Sequence, residues 1–324
     1  MSVKTKIKDE ILEQFRTISH EASGQQIAAK LGVSRNAVWK AIGELRDEGF
    51  LIEGTSGRGY KLCGEKYMSE SLMRKYLKRE LPITLLKSTA STSDLAKAAA
   101  EDGAPEGSVF IAETQLSGRG RTGKSFYSPP GTGIYMSMVL RPSMPATEAL
   151  KITTCAAVAV SEAIEEVTGK RASIKWVNDL FYNNLKICGI LTEASFNMEN
   201  GGLNYAVLGI GINVLAPKDG FGELSHIAGA LMPYSENAGE IRSRLAAAIC
   251  DTFLKKYTQM NSTELFEGYR RRLFVFGKKV SVINGANIRS ATVLGIEKDY
   301  KLIVRYENGE VESLSSGEIS IIPE

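Results

Sequence analysis

Residues 118–125 read GRGRTGKS. Gly118, Gly123, Lys124 and Ser125 satisfy the phosphate-loop spacing G-x-x-x-x-G-K-[ST], and Gly118, Gly120 and Gly123 satisfy the dinucleotide spacing G-x-G-x-x-G. Both motifs demand a strand running into the loop and a helix opening out of it. The strand is present as SVFIAETQ, residues 108–115, but the helix is not. FYSPPGTG follows, where Pro129 and Pro130 remove two backbone donors and Gly131 and Gly133 punctuate the chain, and then comes a second strand, IYMSMVL. Neither nucleotide motif has its context. What remains is a strand–loop–strand in which Arg119, Arg121 and Lys124 surround amides freed by glycines, a loop suited to closing over an anion. A solvated basic loop is the plainer alternative on this stretch alone.

Working outward, the rest of the centre alternates strands, expected around 83–86, 109–115, 134–140, 173–182, 186–196 and 205–213, with two long helices near 147–168 and 239–257. Turn signals at Asn183-Asn184 and Gly201-Gly202 favour a mixed sheet with helices laid on it over a doubly wound fold. From about residue 274 short alternating strands (KKVSVI, RSATVLGIE, KLIVRY, EVESLSS) predict a small β-barrel.

The first sixty residues differ in kind. Ile7, Ile11, Phe15 and Ile18 recur at helical spacing. In SGQQIAAKLGVSRNAVWKAIGELRDEGF, Ser23 and Gln26 form a capping-box signature, Gly32 supplies a turn and Ser34 is placed to cap the next helix. Val38, Ile42 and Leu45 form that helix's apolar stripe, leaving Arg35, Asn36, Trp39 and Lys40 on other faces. With FLIEGTSGRGYKL after it as a two-stranded wing carrying Arg58, this is a winged helix-turn-helix, and Ser34, Arg35, Asn36, Trp39, Lys40 and Arg58 are its candidate DNA contacts. A helical hairpin used only for packing is the bland alternative.

Composition narrows the chemistry. The 324 residues carry a net charge of +3, so any nucleic-acid binding must come from local placement of charge. The only histidines are His20 and His226, which leaves little for a His-based triad or a multi-histidine metal site. Cys63, Cys155, Cys188 and Cys250 are scattered, as expected of free thiols in a reducing cytosol. No signal peptide or membrane-length apolar run is visible, so a cytoplasmic protein is expected.

Four further segments, STASTSD (88–94), ETQLSGRGRTGKSFYSP (113–129), IKWVNDLFYNNLKICGILTE (174–193) and LGIGINV (208–214), stand in an order and spacing that resembles the biotin–protein ligase family. With the winged helix, the chain is similar to the family's bifunctional ligase/operon-repressor members over essentially its whole length. The resemblance implies an α+β protein of three domains: a winged helix-turn-helix (1–65), a mixed-sheet catalytic domain (66–272) and an SH3-like β-barrel (273–324). It also implies two half-reactions, in which biotin and Mg·ATP give biotinyl-5′-adenylate and pyrophosphate and the biotinyl group then passes to a lysine of a biotin carboxyl carrier protein. Neither needs a protein nucleophile, so catalysis would rest on positioning and charge neutralisation.

Carried over residue by residue, the biotin pocket falls on Ser91, Thr92, Ser93 and Gln115, with Arg119, Gly120 and Arg121 as the ordering loop and Gly189 and Leu191 as the floor. Lys175 would neutralise phosphate charge, Asp179 engage Arg121 or magnesium, and Lys186 reach the biotin carboxylate or phosphate. Arg121, Lys175, Asp179 and Lys186 are thus the expected catalytic set. Nucleotide contacts fall on Arg121, Lys124, Phe126, Asn178 and Asn213, and residues 215–228 would form a second mobile loop near the adenine. No protein cluster is expected to bind metal. The pattern departs from the family at Ser93 (usually Asn), Lys124 (Arg), Phe126 (Trp) and Val177 (Pro). Ser91–Ser93 read alone also fit a helix cap, and Asp179 a strand-end charge. Operator DNA and a homodimer formed with adenylate bound are the further partners implied. A biotin-sensing repressor without ligase activity and a lipoate ligase remain as alternatives. Retention of Arg119, Arg121, Lys175, Asp179 and Lys186 weighs against the first, and the GRGR loop with the winged helix against the second.

Overall fold

The computed structural model of the chain describes residues 3–17, 21–55, 58–196, 201–284, 287–315 and 318–321; Ile18 and His20 lie outside them. The chain opens with α1 (Val3–Thr17), α2 (Gly24–Leu31) and α3 (Arg35–Asp47), then the antiparallel pair β1 (Phe50–Thr55) and β2 (Gly59–Glu65). The capping box forms as its spacing predicts: Gln26 N donates to Ser23 Oγ (3.2 Å) and Ser23 N to Gln26 Oε1 (2.9 Å). Gly32 ends α2 in the left-handed region at φ 66°, where it carries no Cβ penalty. Ile11, Phe15, Ile27, Val38, Ile42, Leu45 and Ile52 close a core of their own.

After α4 (Glu70–Tyr76) the chain builds a seven-stranded sheet from β3 (Ile83–Leu86), β4 (Val109–Ala112), β5 (Gly133–Leu140), β6 (Ser173–Lys175), β7 (Asp179–Tyr182), β8 (Leu185–Phe196) and β9 (Leu203–Asn213). Its order is β3-β4-β5-β9-β8-β7-β6, with only β3 and β4 parallel. Helix α5 (Thr92–Glu101) covers part of one face, and α6 (Leu150–Thr168) and α7 (Gly239–Tyr257) cover the other. Two strands are shorter than the sequence pattern predicts. The stretch 173–182 is a tight hairpin, β6 and β7, because residues 176–178 leave the ladder between them. The strand expected over 109–115 stops at Ala112, where its tail bends toward the loop. Asn183 and Asn184 take φ of 50° and 64°, the turn between β7 and β8 that their sequence announces.

The chain closes with α8 (Thr263–Arg272) and an antiparallel sheet of β10 (Lys279–Asn284), β11 (Asn287–Ile296), β12 (Leu302–Tyr306), β13 (Val311–Leu314) and β14 (Glu318–Ile321), in the order β13-β12-β11-β10-β14. Among the described residues β13 and β14 stand at its two ends and do not pair, so the ladder is open rather than a closed barrel. Its core runs into that of the central sheet, and Trp176 Nε1 donates to Tyr300 O across the junction (2.9 Å).

The segment after β2 is bonded into the seam between head and sheet. Asn237 Nδ2 donates to Cys63 O (3.0 Å) and Glu65 N to Asn237 Oδ1 (3.2 Å). Arg242 Nη2 donates to Lys66 O (2.8 Å), and Met68 N donates to Glu113 Oε1. A Cβ on Gly239 would fall on the Tyr67 carbonyl oxygen, so only glycine lets α7 start this close.

Candidate active site

Residues opposite each other in an antiparallel ladder share a face. The register therefore draws one row across five strands: Lys175, Asp179, Gly189, Gly211 and Tyr135. A second row holds Leu191, Gly209 and Ser137, and a third Glu193, Val207 and Val139. Alternate residues, among them Cys188, Ile190, Ile210, Ile212, Met136 and Met138, point the other way into the core under α6 and α7. The alternation in LGIGIN thus puts isoleucines into the core and glycines onto the working face.

The glycines admit close approach. A Cβ at Gly211 would lie 2.7 Å from the Phe126 ring, and one at Gly209 would lie 2.9 Å from Ser93 Oγ. Phe126 therefore packs flat on the Gly189–Gly211 floor, edge to face with Tyr135 (6.4 Å between centroids).

Beside it lies a buried cluster of hydroxyls. Ser91 caps α5, its Oγ accepting from Asp94 N (3.4 Å), so the capping role read from sequence is the one the hydroxyl performs. Thr92 N and Oγ1 both donate to Gln115 Oε1 (2.9 and 3.1 Å). Ser137 Oγ lies 2.9 Å from Thr92 Oγ1 and 3.1 Å from Ser93 Oγ, and Gln115 Nε2 donates to Ser128 Oγ (3.1 Å). Ser137 is fully buried. Sequence reasoning missed it, although it is the one hydroxyl-bearing aliphatic position in IYMSMVL, on the tyrosine's face.

The GRGR loop arches over this face. Phe126 N donates to Gly118 O (2.8 Å) and Gly120 N to Lys124 O (2.6 Å), and a single 3-10 turn spans Arg121–Gly123. Arg121 Nη1 donates to Asn178 Oδ1 (3.0 Å), and Asn178 Nδ2 to Ile190 O (2.8 Å), so the loop is tied to the 176–178 turn. Arg119 meets Asp94 (2.5 Å) and Glu193 (3.1 Å). Lys124 is exposed on the outer arm of the loop.

Lys186 and Gly189 are three residues apart, which in an unbroken strand places them on opposite faces. The pairing shifts between Leu180 and Phe181: Leu180 faces Cys188, but Phe181 faces Lys186, leaving Ile187 as the extra residue. That bulge turns Lys186 onto the working face. Its Nζ lies 2.8 Å from Asp179 Oδ1. Their alignment falls short of a hydrogen bond, which leaves this buried oxygen with acceptor capacity. Lys175 Nζ stands 5.3 Å from the Phe181 ring centroid on the same face.

Asn213 is turned to the neighbouring segment, its Nδ2 donating to Gly229 O (3.0 Å). The 215–228 stretch contains a 3-10 helix, Gly222–His226, and is pinned at its far end by Lys186 N to Ile227 O (2.8 Å).

A cavity of about 240 Å3 adjoins the site without coinciding with it. Its walls include Leu150, Thr153, Val177, Thr192 and Phe196, and it meets the loop at Arg121 and the second row at Leu191. The converging charges and hydroxyls, not this largely apolar hollow, mark where chemistry is served.

Two buried groups beside the site are held in their protonated forms. Burial pushes the Tyr135 phenol and the Cys188 thiol well up, so both stay protonated near neutral pH. Among the described residues no group of three or more His, Cys, Asp or Glu is placed to hold a metal ion, and no helix is long and apolar enough to cross a membrane.

In the head, Arg35, Asn36, Trp39 and Lys40 are exposed along α3 opposite its buried stripe, and Arg58 is exposed at the wing. Trp39 is 66% exposed, so it is not core. Ser34 spends its hydroxyl on the cap, accepting from Ala37 N (3.1 Å).

Residues 85–213 match the biotin/lipoate A/B protein ligase family, and residues 8–61 match a helix-turn-helix domain. The chain is 33% identical to the bifunctional ligase/repressor BirA of Bacillus subtilis (strain 168), over 98% of this chain and 100% of that one. It is 30% identical to the bifunctional ligase/repressor BirA of Escherichia coli (strain K12) over 59% of each chain. Among solved structures it resembles the biotin protein ligase from Aquifex aeolicus in complex with biotin and ATP, with a TM-score of 0.60, 25% identity, and 75% of this chain and 99% of that one covered. The chain belongs to the biotin/lipoate A/B protein ligase family, among its bifunctional ligase/repressors.

Proposed function

We propose that the protein is a cytoplasmic, ATP-dependent biotin–protein ligase that also represses transcription in response to biotin. The observation that carries the ligase reading is the row Lys175, Asp179, Gly189, Gly211, Tyr135: two glycines bare the sheet, charges gather at one end, and the GRGR loop covers them.

In the first half-reaction a biotin carboxylate oxygen attacks the α-phosphorus of ATP and pyrophosphate leaves, giving the mixed anhydride. In the second, a lysine amine of a biotin carboxyl carrier protein attacks the anhydride carbonyl, loses a proton and expels AMP. The hydroxyls of Thr92, Ser93 and Ser137 with Gln115 offer paired donors and acceptors for a ureido ring, with Leu191 and Gly209 as its floor. Lys186 and Arg121 counter the negative charge that both steps concentrate at phosphorus. Gly120 and Arg119 shape the loop, while Lys175, Lys124, Phe126, Asn178 and Asn213 serve the nucleotide side. Ser91 acts through the turn it caps.

Magnesium fits the donor set in one way. Of the carboxylates at the site, Asp94 and Glu193 engage Arg119 at the pocket mouth, and Asp179, with a buried oxygen able to accept, stands in the row of Lys175 and Gly189. That suits an ion carried mainly by nucleotide phosphates, for which one protein carboxylate suffices; bound there, it would neutralise phosphate charge.

For regulation, Arg35, Asn36, Trp39, Lys40 and Arg58 are the proposed operator contacts, with Ser34 setting the helix start. Beyond Ile190, which is bonded to Asn178, β8 pairs only with β9 among the described residues, leaving the edge of residues 191–196 open beside the loop; this supports a homodimer through the central sheet once the adenylate orders that loop. The domain limits proposed are 1–65, 66–272 and 273–324. The separate first core supports the first boundary, and the start of the last meander supports the second. The register shift between Val293 and Gly295, a bend in β11, supports an SH3-like arrangement of this open five-stranded meander.

The deciding experiment incubates purified protein with biotin, Mg·ATP and an acceptor domain. Biotinyl-adenylate and labelled acceptor are the expected products; biotin binding with neither product would reduce the protein to a biotin-sensing repressor.

A further inference from the structure

Arg119 does not reach into the hydroxyl pocket. Its guanidinium Nη2 stands 2.5 Å from Asp94 Oδ1 and 3.1 Å from Glu193 Oε2, the other oxygen of which lies 2.5 Å from Lys97 Nζ. Asp94 sits in the first turn of α5, the turn that presents Thr92 and Ser93. Glu193 ends the working-face row Gly189, Leu191, Glu193 on β8. The arginine therefore spans the two walls of the pocket, from α5 to β8, and takes the near arm of the loop with it. On the far side the loop is held separately, by Arg121 on Asn178.

We infer that Asp94 and Glu193 are positioning residues for the biotinylation reaction: together they clamp Arg119 across the mouth of the site and hold the GRGR loop closed over a bound ligand. The inference rests on the ligase reading for its catalytic consequence and on geometry alone for the clamp. Three features give the pairs more weight than ordinary surface contacts. One guanidinium serves two carboxylates, so the charges act as a network. Glu193 is fixed from its other side by Lys97 and is only 26% exposed. Asp94 stands at a helix N-terminus, where a carboxylate is favoured before it meets the arginine. Neither acid touches the reacting atoms, so the clamp acts on how long the ligand stays and leaves the chemical step alone.

The test compares the wild type with Asp94→Asn, Glu193→Gln, the double variant and the charge-conserving Asp94→Glu. Two readouts are taken. Biotin-dependent exchange of pyrophosphate into ATP gives KM and kcat, and limited trypsin digestion without ligand reports cleavage at loop residues Arg119, Arg121 and Lys124. Each single neutralisation is expected to raise the biotin KM about fivefold and the double variant more, with kcat held within about twofold, as a half-exposed ion-pair network allows. Loop cleavage should accelerate in the same order, and Asp94→Glu should recover most of both effects. Raising the salt from about 0.05 to 0.5 M should weaken wild-type biotin binding and leave the double variant nearly unaffected, since exposed pairs are screened.

An unchanged KM with unchanged cleavage overturns the clamp. A lowered KM also overturns it, because the acids would then be surrogate anions that the ligand must displace. If the wild type forms no adenylate, the ligase reading and the catalytic consequence fall together, while the cleavage rates still decide whether Asp94 and Glu193 hold the loop.

Discussion

Arg242, fully buried at the start of α7, donates through Nη1 to Glu113 Oε2 at 2.8 Å, and the same Nη1 reaches Gly133 O at 3.2 Å. Its other terminal nitrogen binds Lys66 O, in the segment leaving the winged head. Glu113 completes the joint by accepting from Met68 N. One ion pair thus ties that segment, the end of β4 and the start of β5, two residues from Gln115 and from Tyr135. Removing one partner leaves the other's charge buried without a counter-charge. Glu113→Ala should cost about 3 kcal/mol or more by chemical denaturation, whereas an exposed pair such as Arg74–Glu70 should cost under about 1 kcal/mol. Equal costs would show that the buried pair has no special weight.

The same seam bears on regulation. Gly239→Ala introduces a methyl group onto the Tyr67 carbonyl and must shift the segment or α7. Adenylate synthesis should remain near wild type, because nothing on the working face moves, while biotin-dependent operator binding should weaken. Loss of both activities together would mean that the seam supports folding only.

Removing the Arg121 guanidinium takes away its bond to Asn178 and a cation over the site. Arg121→Ala should speed loss of preformed biotinyl-adenylate by about tenfold or more, the scale of one charge-assisted hydrogen bond. Stopped-flow release of the adenylate measures this directly, and an unchanged rate would remove Arg121 from ligand retention.

Gly211→Ala places a methyl group 2.7 Å from the Phe126 ring, which has to lift off the floor. Nucleotide and biotin affinities should both fall by calorimetry, with the melting temperature little changed. An unaltered affinity would mean that the ring's seat on the glycines is irrelevant to binding.

Alkaline pH should destabilise the fold. Burial pushes the Cys155 and Cys250 thiols from 9.0 up to about 12. The folded state therefore holds these protons after the unfolded state has released them, and stability present below pH 9 is lost as the pH climbs toward 12. Denaturant midpoints should drop across that window, and substitution of both cysteines by alanine should flatten the drop relative to the weakened starting point. In the native protein at neutral pH, alkylation should reach the exposed Cys63 and spare Cys155, Cys188 and Cys250.

Local chemistry made much of this molecule legible. The capping box at Ser23, the glycine stop at Gly32 and the stripe Val38, Ile42, Leu45 are short-range signals, and each forms as written. The failed context of GRGRTGKS is equally local, since the prolines and glycines of SPPGTG lead directly into a strand and leave no room for the helix that both nucleotide motifs need. The β6–β7 hairpin reads in sequence as one strand because the 176–178 turn lacks glycine and its interior side chains, Trp176 and Val177, are as apolar as a strand's. Ser137 is not legible in sequence, because a lone serine in an apolar strand acquires meaning only from the Thr92 and Ser93 hydroxyls, more than forty positions away.

By itself the sequence determined the order of elements, the separate head, the face on which the glycines of LGIGIN must lie, and the positive charge of the loop, because periodicity and turn chemistry act within a few residues. Tertiary structure decided the partners. Spacing alone puts Lys186 on the opposite face from Gly189, and only pairing with β7, which leaves Ile187 as the bulged residue, brings Lys186 to Asp179. Asp94, Arg119 and Glu193 likewise lie on three separate segments and meet only when the loop folds across the sheet. Register and loop closure are long-range pairings, set by which strands bury their apolar faces together, and no local window of the chain contains that information.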